Sequence, residues 1–141
     1  MKRILITGSR TWRDWDRIER AILDHSPGYP AGEDTLIVHG GCPDGADEIA
    51  ATIAATLGLP TEVHRADWDI CVETCKPGHR RLRYGKSYCP TAGPRRNAAM
   101  VEAGADVCLA FIRKGSSGAS MTALMAELSG IKTIRYTEEG P

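Results

Sequence analysis

Short apolar runs rich in isoleucine, valine, leucine and threonine recur along the chain at 3–7, 35–39, 61–65, 107–112 and 133–136. Runs of this kind, bounded by turn-forming residues, read as strands. Between them the apolar positions return at helical spacing. Trp15, Ile18, Ala21 and Ile22 follow Asp14, and Ile49 and Ile53 mark one face of the alanine-rich stretch 46–57, which stops at Gly58. Met100 and Val101 fall in 95–103, the shortest of the set, and 120–128 runs up to Gly130. Strands alternating with helices imply βαβ units. The expected class is α/β, with a mainly parallel five-stranded sheet flanked by helices. A length of 141 residues suits one domain, 1–141.

Residues 69–93 break the alternation, showing no apolar periodicity but three cysteines. Loops this long are uncommon inside a compact domain unless they are functional or independently held. Cys71, Cys75, His79 and Cys89 supply three thiols and an imidazole, the ligand set of tetrahedral zinc. Pro77 and Gly78 argue against one helix through the first three, so the ligands are expected on a knuckle-like loop that the metal folds. Four protein ligands leave no open position for water, which makes the expected zinc structural. Disulfides are the competing use of clustered thiols. They are disfavoured because the first apolar run breaks at Gly8, too early for a secretory signal, and a cytoplasmic protein keeps its thiols reduced. Of the other two cysteines, Cys108 lies mid-strand as a small hydrophobe. Cys42 sits in a glycine loop beside a helix start, where a thiol can be acidified or can be no more than a small loop residue.

The 18 basic and 18 acidic residues cancel, so no global field marks a nucleic-acid or membrane-surface binder. No apolar run approaches the ~20 residues of a membrane span. Charge is uneven only locally. Lys76, Arg80, Arg81, Arg83, Lys86, Arg95 and Arg96 face only Asp69 and Glu73 within 69–97, with Tyr84 and Tyr88 interleaved. Three readings stand for this segment: a lid whose arginines reach a ligand's phosphates, a zinc knuckle on nucleic-acid backbone, or a solvated basic loop. Trp68 is expected in the core. Trp12 is left between core and base stacking.

Ligands of open parallel sheets sit beyond the carboxyl ends of the strands, where loops lead into helix N-termini. Four loops rich in glycine and donors fall on that edge: Gly8-Ser9-Arg10, Gly40-Gly41-Cys42-Pro43-Asp44-Gly45, Gly93-Pro94-Arg95-Arg96-Asn97 and Gly115-Ser116-Ser117-Gly118. Together they suit a phosphate-bearing ligand. Neither standard nucleotide motif is present, and Gly85-Lys86-Ser87 only imitates the end of a P-loop. Asp44 and Asp47 are the carboxylates at this edge; either can serve a ligand, or Asp44 can merely cap the helix that begins there and Asp47 merely complement its dipole.

With Ala66-Asp67-Trp68, His39 before the second loop, Asp47 after it, and Ala98-Ala99-Met100 after the third, these motifs resemble the YspA/cpYpsA-related branch of the SLOG superfamily over nearly the whole chain. The superfamily includes the LOG enzymes and the DNA-processing protein DprA. The resemblance implies a Rossmann-like fold that binds a nucleotide or nucleotide-derived molecule at Gly8, Ser9, Arg10, Gly40, Gly41, Asp44, Gly45, Asp47, Arg95, Arg96, Asn97, Gly115, Ser116, Ser117 and Gly118. Related sequences carry a similar Cys/His-rich insertion before Gly-Pro-Arg-Arg-Asn, and a homodimer is a further expectation from kinship. LOG phosphoribohydrolases follow a Gly-Gly-x-Gly-Thr segment with an acidic pair. Here 115–122 holds no carboxylate, Ala119 replaces the threonine, and Glu127 lies too far along the helix. Hydrolysis of an N-glycosidic or phosphoester bond, with Arg10 and Arg96 on phosphate and Asp44 or Asp47 as acid–base group, is therefore the alternative to simple binding. Nucleic-acid binding through the basic insertion is the weaker one.

Overall fold

The alternation in the sequence is realised as β1 (Lys2–Gly8), α1 (Trp15–Asp24), β2 (Thr35–His39), α2 (Ala46–Leu57), β3 (Thr61–Val63), β4 (Arg81–Arg83), β5 (Lys86–Tyr88), α3 (Ala92–Ala103), β6 (Val107–Arg113), α4 (Ser117–Leu128) and β7 (Lys132–Glu138). These come from a computed structural model that describes residues 1–26 and 34–138. Five strands pair in parallel in the order β3-β2-β1-β6-β7, and β4 and β5 form a separate antiparallel hairpin. The fold is α/β, as expected.

Successive residues of a strand face opposite sides of the sheet, and β1 shows what each side meets. Ile4 and Ile6 pack with Ile18 and Ile22 of α1 and Ile49 and Ile53 of α2. Leu5 packs on the other face with Met100 and Val101 of α3 and Ala126 of α4. Covered on both faces, β6 is buried at every position, which is why it reads as a continuous apolar run. Trp12 belongs to this core, with its ring edge-on to Phe111 at 5.4 Å, and Phe111 stacks on Tyr136 at 4.9 Å. Trp12 is thus a core residue and not a surface for base stacking. Cys108 is fully buried, and burial pushes its thiol up to about 12.

The chain order decides where a ligand can enter. From β1 the sheet grows outward through β2 and β3, and from β6 it grows the other way to β7. The loops leaving β1 and β6 therefore part in opposite directions and open a crevice at their carboxyl ends.

Several boundaries differ from the sequence reading. The strand expected at 61–65 stops at Val63, because only His64 N–H still reaches the neighbouring strand, at the His39 carbonyl, before Gly40 turns away. α3 starts at Ala92 rather than at 95, taking Gly93 and Pro94 into its first turn, where a proline's missing N–H would have been unpaired anyway. It has 12 residues, the same as α2 and α4, and so is not the shortest. α4 likewise starts at Ser117 rather than at 120. Segment 69–93 is more than a loop, since it contains the β4–β5 hairpin with Tyr84 and Gly85 at its tip, both at positive φ (50° and 76°). Gly85-Lys86-Ser87 lies on this turn and in β5, away from any strand-to-helix junction. No helix among the described residues is long and apolar enough to cross a membrane.

Candidate ligand site and metal centre

The crevice between β1 and β6 is a cavity of about 440 Å³ lined by Gly8, Ser9, Arg10, Asp47, Arg96, Asn97 and the first turn of α4. The first N–H groups of a helix have no intrahelical acceptor. In α4 those of Ser117, Gly118 and Ala119 make no hydrogen bond to the loop before them, and Ser116 gives no side-chain cap. These residues line the cavity together with Arg10 and Arg96. Amides without a partner among the described residues, at the positive end of a 12-residue helix and near two guanidinium groups, have the chemistry to hold an anion.

The second glycine loop is built differently from what its composition suggests. Gly45 is the N-cap of α2 at φ 73°, and a Cβ there would collide with the Ser9 carbonyl and the Arg10 backbone. Two residues on, in the first turn of α2, Asp47 reaches back, and its Oδ2 accepts from Gly40 N–H (3.2 Å) and Cys42 N–H (3.3 Å). His39 Nδ1 accepts from Gly41 N–H at 3.0 Å. Burial, with Arg65, Arg96 and His64 nearby, holds the His39 pKa down and keeps the acceptor form available. The Gly40, Gly41 and Cys42 amides are thus already satisfied by the protein. Asp47 is buried, and desolvation raises its pKa against the opposing pull of those two amides, Arg96 and Arg10. Asp44 is exposed, provides no side-chain cap, and stands at the rim.

Arg96 ties this loop to α3. Its Nη1 donates to the Gly40 carbonyl at 2.5 Å and to His64 O at 3.3 Å, while Nε donates to Asn97 Oδ1 at 2.6 Å. A Cβ on Gly40 would take the space of that guanidinium, at 2.5 Å from Nη1. Burial lowers the Arg96 pKa.

Outside this crevice a larger cavity of about 840 Å³ opens between the second loop and the hairpin. Arg10, Cys42, Trp68, Arg83 and Arg96 line both spaces, so the two adjoin. Arg65, Arg81 and Lys86 join them on the outer wall, together with Tyr84 and Tyr88. Trp68 is half-buried on that wall rather than in the core, because Gly93 leaves room for its ring on α3 and Tyr88 packs against it edge-on at 6.0 Å.

The hairpin hangs from the cysteine cluster. The ligand atoms of Cys71, Cys75, His79 and Cys89 all lie within 4.8 Å of one another. Cys71 Sγ is 3.1 Å and Cys89 Sγ 3.4 Å from His79 Nε2, and the Cys75 and Cys89 sulfurs are 3.9 Å apart. A tetrahedral ion with ~2.0–2.3 Å bonds would space such atoms by about 3.5–3.8 Å, so the donor set fits a metal. Although burial works to raise it, hydrogen bonds from Thr91, Cys71 and Arg95 bring the Cys89 thiol down to about 5, which favours the thiolate a metal binds.

Two residues expected at the ligand edge have other work. Arg95 turns to the cysteines, with Nη1 3.4 Å from Cys75 Sγ and Nη2 donating to Ile70 O at 2.8 Å, because the helix starts early and sulfur charge draws the guanidinium there. The Ser9 hydroxyl accepts from Arg113 N–H at 2.7 Å, stapling β1 to β6. Gly115 serves the β6–α4 turn at φ 65° and does not line the crevice, unlike Ser116, Ser117 and Gly118. Gly45 lines a neighbouring shallow hollow beside Arg10. Arg65 went unnoticed in the sequence, although its place at the end of an expected strand put it on the ligand edge.

Comparison with known proteins agrees with the geometry. The YspA, cpYpsA-related SLOG family matches residues 2–70, which hold β1 to β3 and the first two glycine loops. Over 144 aligned residues the chain is 37% identical to the Gene 61 protein of Mycobacterium phage D29, with 99% of each chain covered. A match that runs past both glycine loops and through the Cys/His insertion to the end of the sheet places the whole chain with these proteins, and it belongs to the YspA, cpYpsA-related SLOG family.

Proposed function

We propose that the protein binds a nucleotide or nucleotide-derived small molecule at the carboxyl edge of its sheet, as a sensor or ligand-processing protein, and that a structural zinc ion holds its insertion. One observation carries the ligand reading: Ser117, Gly118 and Ala119, whose amides have no hydrogen-bond partner among the described residues, line one crevice with Arg10 and Arg96 at the strand-order reversal. Family membership supports it. Zinc suits the three thiols and one imidazole, and would serve by fixing the loop, since all four donors are protein groups. The cytoplasm, where such thiols stay reduced, is the matching compartment.

Asp47 bears on the hydrolase alternative. Its raised pKa beside the crevice suits an acid–base group, yet Oδ2 is committed to two loop amides, which favours a positioning role. Native mass spectrometry of protein purified without chelator tests both parts. It should show about one zinc per chain, as one four-ligand site requires, lowered in Cys75→Ser, and mass additions from a nucleotide panel that Arg96→Ala diminishes. A metal-free native protein, or no nucleotide adduct across the panel, would refute the corresponding part.

A further inference from the structure

The Gly40, Gly41 and Cys42 amides, which composition marks as a phosphate nest, are taken by Asp47 and His39, which leaves side chains as the main source of anion binding outside the crevice. The outer cavity supplies them in excess. Arg10, Arg65, Arg81, Arg83, Lys86 and Arg96 line it, none of them in an ion pair among the described residues, and the one carboxylate on the wall is Asp44. A monophosphate brings about two negative charges, too few to match this wall after its oxygens have taken the α4 amides.

The same wall carries aromatic surface facing the cations. Trp68 is held by Gly93 and Tyr88, and the Arg83 guanidinium lies 5.7 Å from the Tyr88 ring centre. Tyr84 is 98% exposed at the hairpin tip, with φ 50°. That backbone conformation disfavours a bulky side chain, and nothing in the fold gains from an aromatic ring there. All three aromatic residues belong to or abut the metal-anchored insertion.

We propose that the site takes a nucleoside polyphosphate: the terminal phosphate on the first turn of α4, the remaining phosphates along Arg10, Arg96 and Arg83, and the base against Trp68 and Tyr84 of the outer cavity. This rests on the phosphate-binding reading above and adds the ligand class and the role of the insertion. A free nucleotide is favoured over a nucleic-acid strand because the chain as a whole is neutral and the cations gather in a concavity. The zinc cluster then acts as the mount for the base-recognition wall.

Calorimetric titration of the metal-replete protein with nucleoside mono-, di- and triphosphates of adenine and guanine, and with inorganic tripolyphosphate, tests the assignment. Affinity should rise by about tenfold for each added phosphate, the order expected of charge-assisted contacts. The better nucleoside triphosphate should bind roughly tenfold tighter than tripolyphosphate, the contribution of one stacked base. Tyr84→Gly relaxes the turn and so should fold at least as well, yet it should erase part of the base-dependent gain while leaving tripolyphosphate binding unchanged. Equal binding of mono- and triphosphates, equal binding of triphosphate and tripolyphosphate, or displacement of the nucleotide by a single-stranded oligonucleotide at physiological salt would overturn this proposal and leave the phosphate-binding reading standing. Failure of every nucleotide to bind would overturn both.

Discussion

Replacing Asp47 with alanine separates the positioning role of this carboxylate from the alternative that it only complements the dipole of α2. The substitution strips the acceptor from Gly40 N–H, which is buried, and from Cys42 N–H, which is partly buried. A buried donor left unpaired costs ~1–3 kcal/mol, and partial solvation of the second amide brings the pair to about 2–4 kcal/mol. Relief of the carboxylate's own desolvation, the leading cause of its raised pKa, trims that figure toward the lower end. Urea unfolding should record the loss. In a chain of this size it corresponds to a fall in Tm of roughly 2–4 °C per kcal/mol. Asp47→Asn keeps an acceptor oxygen and should lose less than about 1 kcal/mol. The sign with pH is fixed as well. A carboxyl whose pKa is raised by folding contributes stability below its ordinary value of 3.8, and this is lost as pH rises through the folded value. The asparagine variant should therefore gain on the wild type as pH climbs. An alanine variant within about 0.5 kcal/mol of wild type, the scatter of a neutral surface change, would refute the assignment of this carboxylate as the anchor of the loop.

Gly45→Ala should unfold or misfold the protein, since φ 73° and the Ser9 carbonyl leave no place for a methyl group; circular dichroism and soluble yield report it, and a native-like variant would contradict the loop geometry. Glu62 accepts from Arg3 and His64, which holds its carboxyl at about 2, below the ordinary 4.5. Its contribution is full above the ordinary value and lost as pH falls through about 2, so the stability gap between wild type and Glu62→Gln should narrow on acidification. That gap should stay under about 1 kcal/mol because the pair is partly solvated. Chelation should raise hydrogen exchange across 70–91 and leave β1 and β6 protected, because Ile70, Val72, Leu82 and Tyr84 are exposed and bury little to hold the segment without metal. Unchanged exchange in metal-free protein would show that the insertion folds by itself.

The sheet and its helices were legible because their pattern is local: β-branched runs for strands, and Ile49 and Ile53 one turn apart on a helix that Gly58 ends. The Cys/His cluster was legible for the same reason, since three thiols and an imidazole within one segment without a core have few uses other than holding a metal. The hairpin was hidden because its strands have three residues each and its turn places Tyr84 where asparagine or glycine is usual. What the glycine loops do could not be read from composition. Gly40, Gly41 and Cys42 advertise free amides, but Asp47 and His39, at opposite ends of the loop, return to claim them. Arg95 and Arg96 are adjacent in sequence and equivalent in chemistry, yet one helical step sends the first to the sulfurs and the second to the ligand edge.

In the proposed function, a phosphate-bearing nucleotide seats on the first turn of α4. Amide NMR spectra of the metal-replete protein during titration with a nucleoside triphosphate test it most directly. The Ser117, Gly118 and Ala119 amides should shift saturably and with one common Kd, while the Gly40 and Cys42 amides, bonded to Asp47, move far less. Saturation of the protein with nucleotide while those three α4 amides stay in place would contradict the account.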